Sequence, residues 1–263
     1  MDINNEINKY NKYCEEFTEY VNELNNRSSD KMKEKFAELR GFKVDTVHES
    51  DIFYIGSSTE MLLPSYIEKL ETFGVISRTN KKVIYHDRYI IPIKNIKGQV
   101  INLVGYSKEA NERYIYGTGK YYRRRETLYG LENLELAYDM GYAILVEGIT
   151  DAIRLRDMGY KNSFAVCGTH SSKFIMKQLN RCRHGVIKIP DRDSAGRRAV
   201  KGWECNRGVI INTFIKYKDI DDMCRESKEN EDWAKQYIDS AINWIKSAEH
   251  NGFKSVGEEI TMY

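Results

Sequence analysis

Glu147, Asp191 and Asp193 each stand just after a short apolar run that reads as a buried strand. Ala143-Ile144-Leu145-Val146 leads into Glu147-Gly148, with Asp151 four residues past the glutamate. Gly185-Val186-Ile187-Lys188-Ile189-Pro190 leads into Asp191-Arg192-Asp193 and then Ser194-Ala195-Gly196. A third acidic segment, Lys218-Asp219-Ile220-Asp221-Asp222, follows the apolar run Val209–Ile215. In an open parallel sheet, ligands collect outside the carboxyl ends of the strands, so acids distant in sequence can converge there. Several carboxylates in one small volume repel unless a hard cation neutralises them, and all-oxygen ligation suits Mg²⁺ or Mn²⁺. Metal-assisted phosphate chemistry is what these residues could do.

Each acid also has a plainer reading. An Asp-x-Asp at a strand end commonly caps a turn or a helix. Asp151 in the first turn of a helix is favoured by the helix dipole alone. The set is what points to a metal: an acid-Gly after one strand, an Asp-x-Asp after a later one, and a second Asp-x-Asp after the last.

The elements that must position these acids follow from the pattern. From Gly141 onward, strands alternate with helices: strand Ala143–Val146, a helix with Ile153, Leu155 and Met158 closed by Gly159, strand Phe164–Cys167, helix Ser172–Arg181, strand Val186–Ile189, a helix from Ala195 to Cys205, and strand Val209–Ile215. That alternation predicts a parallel sheet covered by helices. Upstream, Tyr13, Phe17, Tyr20, Val21 and Leu24 recur at helical spacing. A second helix spans Lys31–Leu39, stopped by Gly41, and a third pattern opens at Pro64 and ends at Gly74. Val83–His86, Tyr89–Ile93 and Val100–Val104 read as strands, with Lys97-Gly98 as a turn. A helical stripe from Trp233 to Ile245 precedes a polar terminus expected to fray.

The 263 residues are 41% hydrophobic and 12% aromatic, enough for a real core, and the net charge of +2 leaves any basic surface to be local. The five cysteines are scattered without a CxxC pair, which argues against a zinc ribbon and a disulfide framework. There is no 18-residue apolar run, so a reduced, cytoplasmic protein away from membranes is expected.

The acidic set and its spacing resemble a TOPRIM domain, the metal-binding module of primases, type IA and II topoisomerases and several nucleases. The likeness narrows to bacterial DnaG-type primases. Val146-Glu147-Gly148-Ile149-Thr150-Asp151 is similar to their Val-Glu-Gly-Tyr-x-Asp, Cys167-Gly168-Thr169 contains their Gly-Thr, and Asp191 to Arg197 matches Asp-Gly-Asp-x-Ala-Gly-x. Lys218-Asp219-Ile220-Asp221 matches Lys/Glu-Asp-Pro-Asp. Upstream, Arg88 to Ile93 resembles Arg-(apolar)₃-Pro-Ile, Gly98 to Ile101 resembles Gly-x-Val-Ile, and Leu128-Tyr129-Gly130-Leu131 is the family's Leu-Tyr-Gly-Leu. The likeness runs over residues 10 to 235.

The resemblance implies an α/β chain: an N-terminal α+β subdomain with a basic ridge over residues 1–140, a TOPRIM domain over 141–226, and a C-terminal helix and tail over 227–263. It implies synthesis of short RNA primers from ribonucleoside triphosphates on single-stranded DNA. Glu147, Asp191 and Asp193 would be catalytic, and two or more Mg²⁺ or Mn²⁺ ions would be held by Glu147, Asp191, Asp193, Asp219 and Asp221. Asp151, Gly148 and Thr169 would support them from behind, and no zinc is expected. Arg88, Arg113, Lys120, Arg123, Arg124 and Arg125 would meet nucleotide and template phosphates, although a solvated basic face is the plainer reading of such runs. Tyr121, Tyr122 and Tyr129 could stack on single-stranded bases, with core packing an equal expectation for Tyr129. Gly117-Thr118-Gly119-Lys120 lacks phosphate-loop spacing and reads as a loop. His170 follows the Gly-Thr motif, where a lone histidine is more often incidental.

The chain departs from the family at Gly105-Tyr106-Ser107, where Gly-Gly-Arg is the pattern, and at Glu112-Arg113-Tyr114, where it is Pro-Lys-Tyr. Arg124 replaces a lysine. The family's zinc-binding and helicase-contacting domains are not in this sequence, so a helicase or a separate zinc-binding subunit is an expected partner, and a compact phage-like origin is an expectation from architecture. A TOPRIM nuclease and a degenerate single-strand-binding primase relative are the rival readings.

Overall fold

In a computed structural model, the described residues are 3–167, 173–203, 205–213, 216–248 and 256–261. The chain divides into two compact units, Met1–Tyr122 and Arg123–Tyr263. Together they make an α/β chain with a helical N-terminal part.

The first unit begins with helix α1 (Ile3–Arg27), which buries Tyr13, Cys14, Phe17, Tyr20, Val21 and Leu24, the i, i+3, i+4 stripe expected of an amphipathic helix. Helix α2 (Asp30–Arg40) ends at Gly41, whose φ of 64° allows Phe42 N–H to reach back to the Ala37 carbonyl at 2.9 Å. Helix α3 (Val44–Glu49), strand β1 (Phe53–Ile55), two 3₁₀ turns and helix α4 (Leu70–Phe73) follow. Strands β2 (Arg88–Lys94), β3 (Val100–Tyr106) and β4 (Tyr114–Tyr116) then complete an antiparallel sheet in the order β1-β2-β3-β4. Pro92 sits in β2 beyond the last residue paired with β1, so its missing N–H interrupts no ladder on that side.

Val83–His86, expected as a strand, is not one: a single bridge joins Val83 to Ile76. The apolar character of the segment serves a side-chain anchor instead. Tyr85 is fully buried and donates its hydroxyl to the Leu103 carbonyl at 2.8 Å.

The second unit opens with β5 (Leu128–Tyr129) and helix α5 (Leu134–Met140), which ends at Gly141 with φ 80°. Strand β6 (Tyr142–Val146), helix α6 (Ile149–Asp157), strand β7 (Ser163–Val166), helix α7 (Lys173–Leu179) and strand β8 (Gly185–Ile189) alternate as the pattern requires. Helix α8 (Ser194–Ala199), strand β9 (Gly208–Asn212), helices α9 (Ile220–Glu226) and α10 (Lys228–Ala248), and strand β10 (Val256–Thr261) complete the unit. The sheet order is β10-β9-β8-β6-β7-β5. All neighbours are parallel except β5, which runs antiparallel to β7.

Three elements differ from expectation. Residues 123–140 fall in the second unit rather than before a boundary at Gly141, because β5 pairs with β7. The helix expected over Ala195–Cys205 is shorter and gives way to a 3₁₀ turn at Val200–Gly202. The polar terminus supplies β10, paired in parallel with β9.

The central strands β6 and β7 are buried at every position, as helices on both sides demand. Leu145, Phe164 and Val186 meet Leu128, Leu134, Met176, Leu179 and Trp203 in one core. Since β6 lies between β7 and β8, the chain reverses its direction of travel across the sheet at β6/β8. In such sheets that reversal opens a crevice at the carboxyl ends. Glu147 leaves β6 there and Asp191 follows β8. No helix among the described residues is long and apolar enough to cross a membrane.

Candidate metal centre

The crevice gathers acids from three segments, those that follow β6, β8 and β9. Glu147 accepts a hydrogen bond from the Asp191 backbone N–H at 3.1 Å, which fixes the end of β6 against the loop after β8. Asp151, in the first turn of α6, is 4% exposed, and its Oδ1 accepts from the Asp221 backbone N–H at 3.0 Å. Asp219 caps α9 by accepting from Asp222 N–H at 2.8 Å, and Asp193 caps α8 by accepting from Gly196 N–H at 2.8 Å. The Arg192 N–H donates to the Lys218 carbonyl at 2.7 Å, so the loops after β8 and β9 are joined backbone to backbone.

Three of these carboxylates form a cluster. One oxygen each from Asp151, Asp191 and Asp219 lies within 4.8 Å of the others. The electrostatics are those of a crowded acidic pocket. Burial, reinforced by Asp219, Asp221 and Asp191, pushes the Asp151 carboxyl well above the usual range. Burial also raises Asp191, against the pull of Lys218. Burial followed by the charge of Asp191 lifts Glu147 to about 7. An oxygen-only donor set whose members resist ionising together fits a hard divalent cation, which would neutralise them.

The glycines of the site are places where a side chain has no room. A Cβ on Gly148 would lie 2.3 Å from Asp151 Oδ2, so the glycine lets the carboxylate fold back over its own helix start. A Cβ on Gly196 would lie 2.1 Å from the Asp191 carbonyl and 2.6 Å from Glu147 Oε1. Gly196→Val is therefore expected to lower stability by about 1–3 kcal/mol through overpacking, read as a lower thermal midpoint.

Asp221, expected among the ligands, is placed differently. It is 1% exposed and its two oxygens meet Arg154 Nε at 3.1 Å and Arg225 Nε at 3.2 Å. Arg154, itself 1% exposed, also approaches Asp157 at 3.7 Å. Asp151, expected behind the ligands, stands in the cluster itself. The sequence reading missed Arg154 and Arg225. The available signal was an arginine set between Ile153 and Leu155 on a helix otherwise buried.

The expected phosphate-binding cations lie on separate units. In the first, Arg88 is 7% exposed and its Nη1 donates to the carbonyls of Glu112 at 2.9 Å and Arg113 at 3.3 Å, so it braces the β3–β4 connection instead of facing solvent. Arg113 and Lys120 are exposed, and Lys120 lies over the Tyr121 ring at 5.2 Å. Tyr121 packs on Tyr13, while Tyr122 and Tyr129 are buried. In the second unit Arg123, Arg124 and Arg125 are exposed at its start, and Arg124 Nε donates to the Cys167 carbonyl at the end of β7. Gly168, Thr169 and His170 lie outside the described residues.

Residues 144–236 match the family model described as Toprim-like. The chain is 31% identical over 206 residues to the DNA primase of Aquifex aeolicus, an alignment covering 72% of this chain and 39% of that protein. It is 24% identical over 243 residues to the DNA primase of Thermotoga maritima, covering 85% of this chain and 42% of the relative. A solved DnaG primase catalytic domain bound to single-stranded DNA matches with a TM-score of 0.70 at 18% identity, over 90% of this chain and 83% of that one. The chain is related to the catalytic cores of bacterial DnaG-type primases. It spans about two fifths of the length of these two curated primases. The likeness to them extends well upstream of the Toprim-like segment, into the unit that carries Arg88 and Arg113.

Proposed function

We propose that this chain is a primase catalytic core, joining ribonucleotides into short RNA primers on a single-stranded DNA template. The observation that carries the reading is the convergence of Asp151, Asp191 and Asp219 at the carboxyl edge of the β6/β8 crevice, in a chain whose primase relatives align far beyond that edge. A TOPRIM nuclease would account for the acids but not for the upstream likeness. Template binding is carried over from the DnaG domain solved with single-stranded DNA.

Asp151, Asp191 and Asp219 would hold the divalent ions, Mg²⁺ or Mn²⁺, with Glu147 and Asp193 at the rim. When bound, these ions would neutralise phosphate charge and favour ionisation of the primer 3′-hydroxyl. Glu147 is placed to act as a general base: it is half-buried and its carboxylate is fixed by the Asp191 N–H at 3.1 Å. It would take the proton of the attacking hydroxyl as that oxygen joins the α-phosphorus and pyrophosphate leaves. Asp193 and Asp219, each capping a helix start, hold the two loops in place. Exposed Arg113, Lys120 and Arg123–Arg125 supply the positive charge that phosphates require, and the glycines keep the loops close enough for the acids to meet.

The test is primer synthesis on mixed-sequence single-stranded DNA with labelled ribonucleotides and Mn²⁺ or Mg²⁺. Short RNA products are expected, lost on adding a chelator and reduced at least about a hundredfold in Glu147→Gln. Template cleavage in place of synthesis would sink the primase reading in favour of a nuclease.

A further inference from the structure

Lys218 is the residue of the crevice whose position the primase reading leaves unexplained. Its Nζ stands 2.9 Å from Asp191 Oδ2 and 3.7 Å from Asp193 Oδ2, so the ammonium bridges both carboxylates of the Asp-x-Asp. It does not come from the Asp-x-Asp loop. The arginine between those two aspartates has its Nη1 on the Thr213 carbonyl at 2.6 Å. The cation on the carboxylates arrives instead from the loop after β9, one residue before Asp219. The backbone there is fixed, since the Lys218 carbonyl accepts from Arg192 N–H at 2.7 Å. The side chain is not enclosed: it remains 54% exposed, while the Asp191 side chain beneath it is 12% exposed. A four-carbon stem on an anchored backbone can place its charge on the aspartates or turn it into solvent at small cost.

We propose that Lys218 is a resident counter-ion that competes with the divalent cation for Asp191 and Asp193, and that metal uptake requires it to leave. This rests on the metal-dependent reading above. The argument is one of space and charge. A divalent cation on Asp191 would sit about 2 Å from a carboxylate oxygen. The ammonium already stands 2.9 Å from Oδ2 of that same group. Two cations on one carboxylate repel, and the monovalent, flexible, half-exposed one yields. The lysine thereby keeps the acidic pocket partly neutral before metal arrives and lowers the apparent affinity for metal by the strength of the pair it must give up. On leaving, it becomes a free positive charge at the lip of the crevice, facing the solvent from which an anionic phosphate ligand would come.

The experiment is Mn²⁺ titrated into the metal-free full chain by calorimetry, for the wild type, Lys218→Met and Lys218→Arg. Methionine keeps much of the stem and removes the charge. Lys218→Met is expected to bind Mn²⁺ roughly two- to fivefold more tightly, the range for a partly exposed ion pair that no longer has to be given up, and Lys218→Arg to stay close to wild type. Thermal midpoints supply a second readout. Metal-free Lys218→Met should melt slightly below wild type, and the rise produced by saturating Mn²⁺ should be larger. Unchanged or weaker Mn²⁺ binding in Lys218→Met overturns the inference while leaving the metal centre standing. A wild-type chain that takes up no Mn²⁺ overturns the metal centre itself, and the inference with it.

Discussion

Asp191→Asn is expected to lower primer synthesis by at least about a hundredfold while leaving the metal-free protein as stable as before or more so. The activity loss follows from removing a charged oxygen from the three-carboxylate cluster, since metal stabilisation of phosphate charge contributes several kcal/mol to such reactions. The stability result follows from the sign of the electrostatics. Asp191 is raised by burial and by Asp219 and Asp193 even with Lys218 beside it, so its charged form is disfavoured in the folded state. An amide of the same shape has no charge to bury. Activity assays paired with thermal melts in the presence of a chelator test both halves, and a variant that loses activity only because it unfolds would contradict the expectation.

The same acids set the pH dependence of the metal-free protein. Glu147 titrates near 7 when folded, against an ordinary value of 4.5. Between those values the folded state keeps a proton that the unfolded state has released. Folding stability from this group is therefore greatest at the acid end and falls as pH rises through the window. Asp191 and Asp151, both raised, act in the same direction. Bound metal removes the reason for the fall, so stabilisation by Mn²⁺ should grow with pH.

Arg154→Met is expected to destabilise the protein by about 3–5 kcal/mol, the usual consequence of removing one partner from a buried ion pair. Asp221 would keep Arg225, whose side chain is 34% exposed, but lose its fully buried cation, and Asp157 would lose a neighbour in a region closed to water. Equilibrium urea denaturation of the metal-free chain reads the effect directly. The companion variant Arg154→Met with Asp221→Asn should recover a good part of the loss, because it removes the stranded charge as well. If the single variant were neutral, the pair would not be holding α6 to α9 as described.

Much of this arrangement could be read from the chain in advance, because the relevant signals are local. Apolar runs of strand length, glycines at helix ends and acids just past the strands fix the alternating order of the second unit and the edge where the carboxylates meet. The departures come from contacts that sequence spacing does not encode. Asp219 and Asp221 are two residues apart and chemically alike, yet one opens α9 and faces the crevice while the other turns inward to Arg154, sixty-seven residues earlier. Asp151 looked like a helix-start acid with a supporting part. Only the fold of Gly148 beneath it, with no side chain in the way, shows how near the cluster it comes. Arg88 carries a charge that suggested solvent and phosphate. Its burial depends on three carbonyls from the β3–β4 segment, which no window around residue 88 contains. Strand β10 could not be read because its sequence is polar and its pairing with β9 is set by backbone register.

The hydrogen bond from Arg192 N–H to the Lys218 carbonyl has a consequence for how the centre opens. It ties the loop bearing Asp191 and Asp193 to the loop bearing Lys218 and Asp219, so neither can swing out without breaking the backbone bond it shares with the other. Local opening should thus be cooperative, with the two loops exchanging their amide hydrogens as one unit at one rate. The carboxylates of the centre would then be lost or recovered together, leaving little room for half-assembled states in which a cation is held by one loop alone.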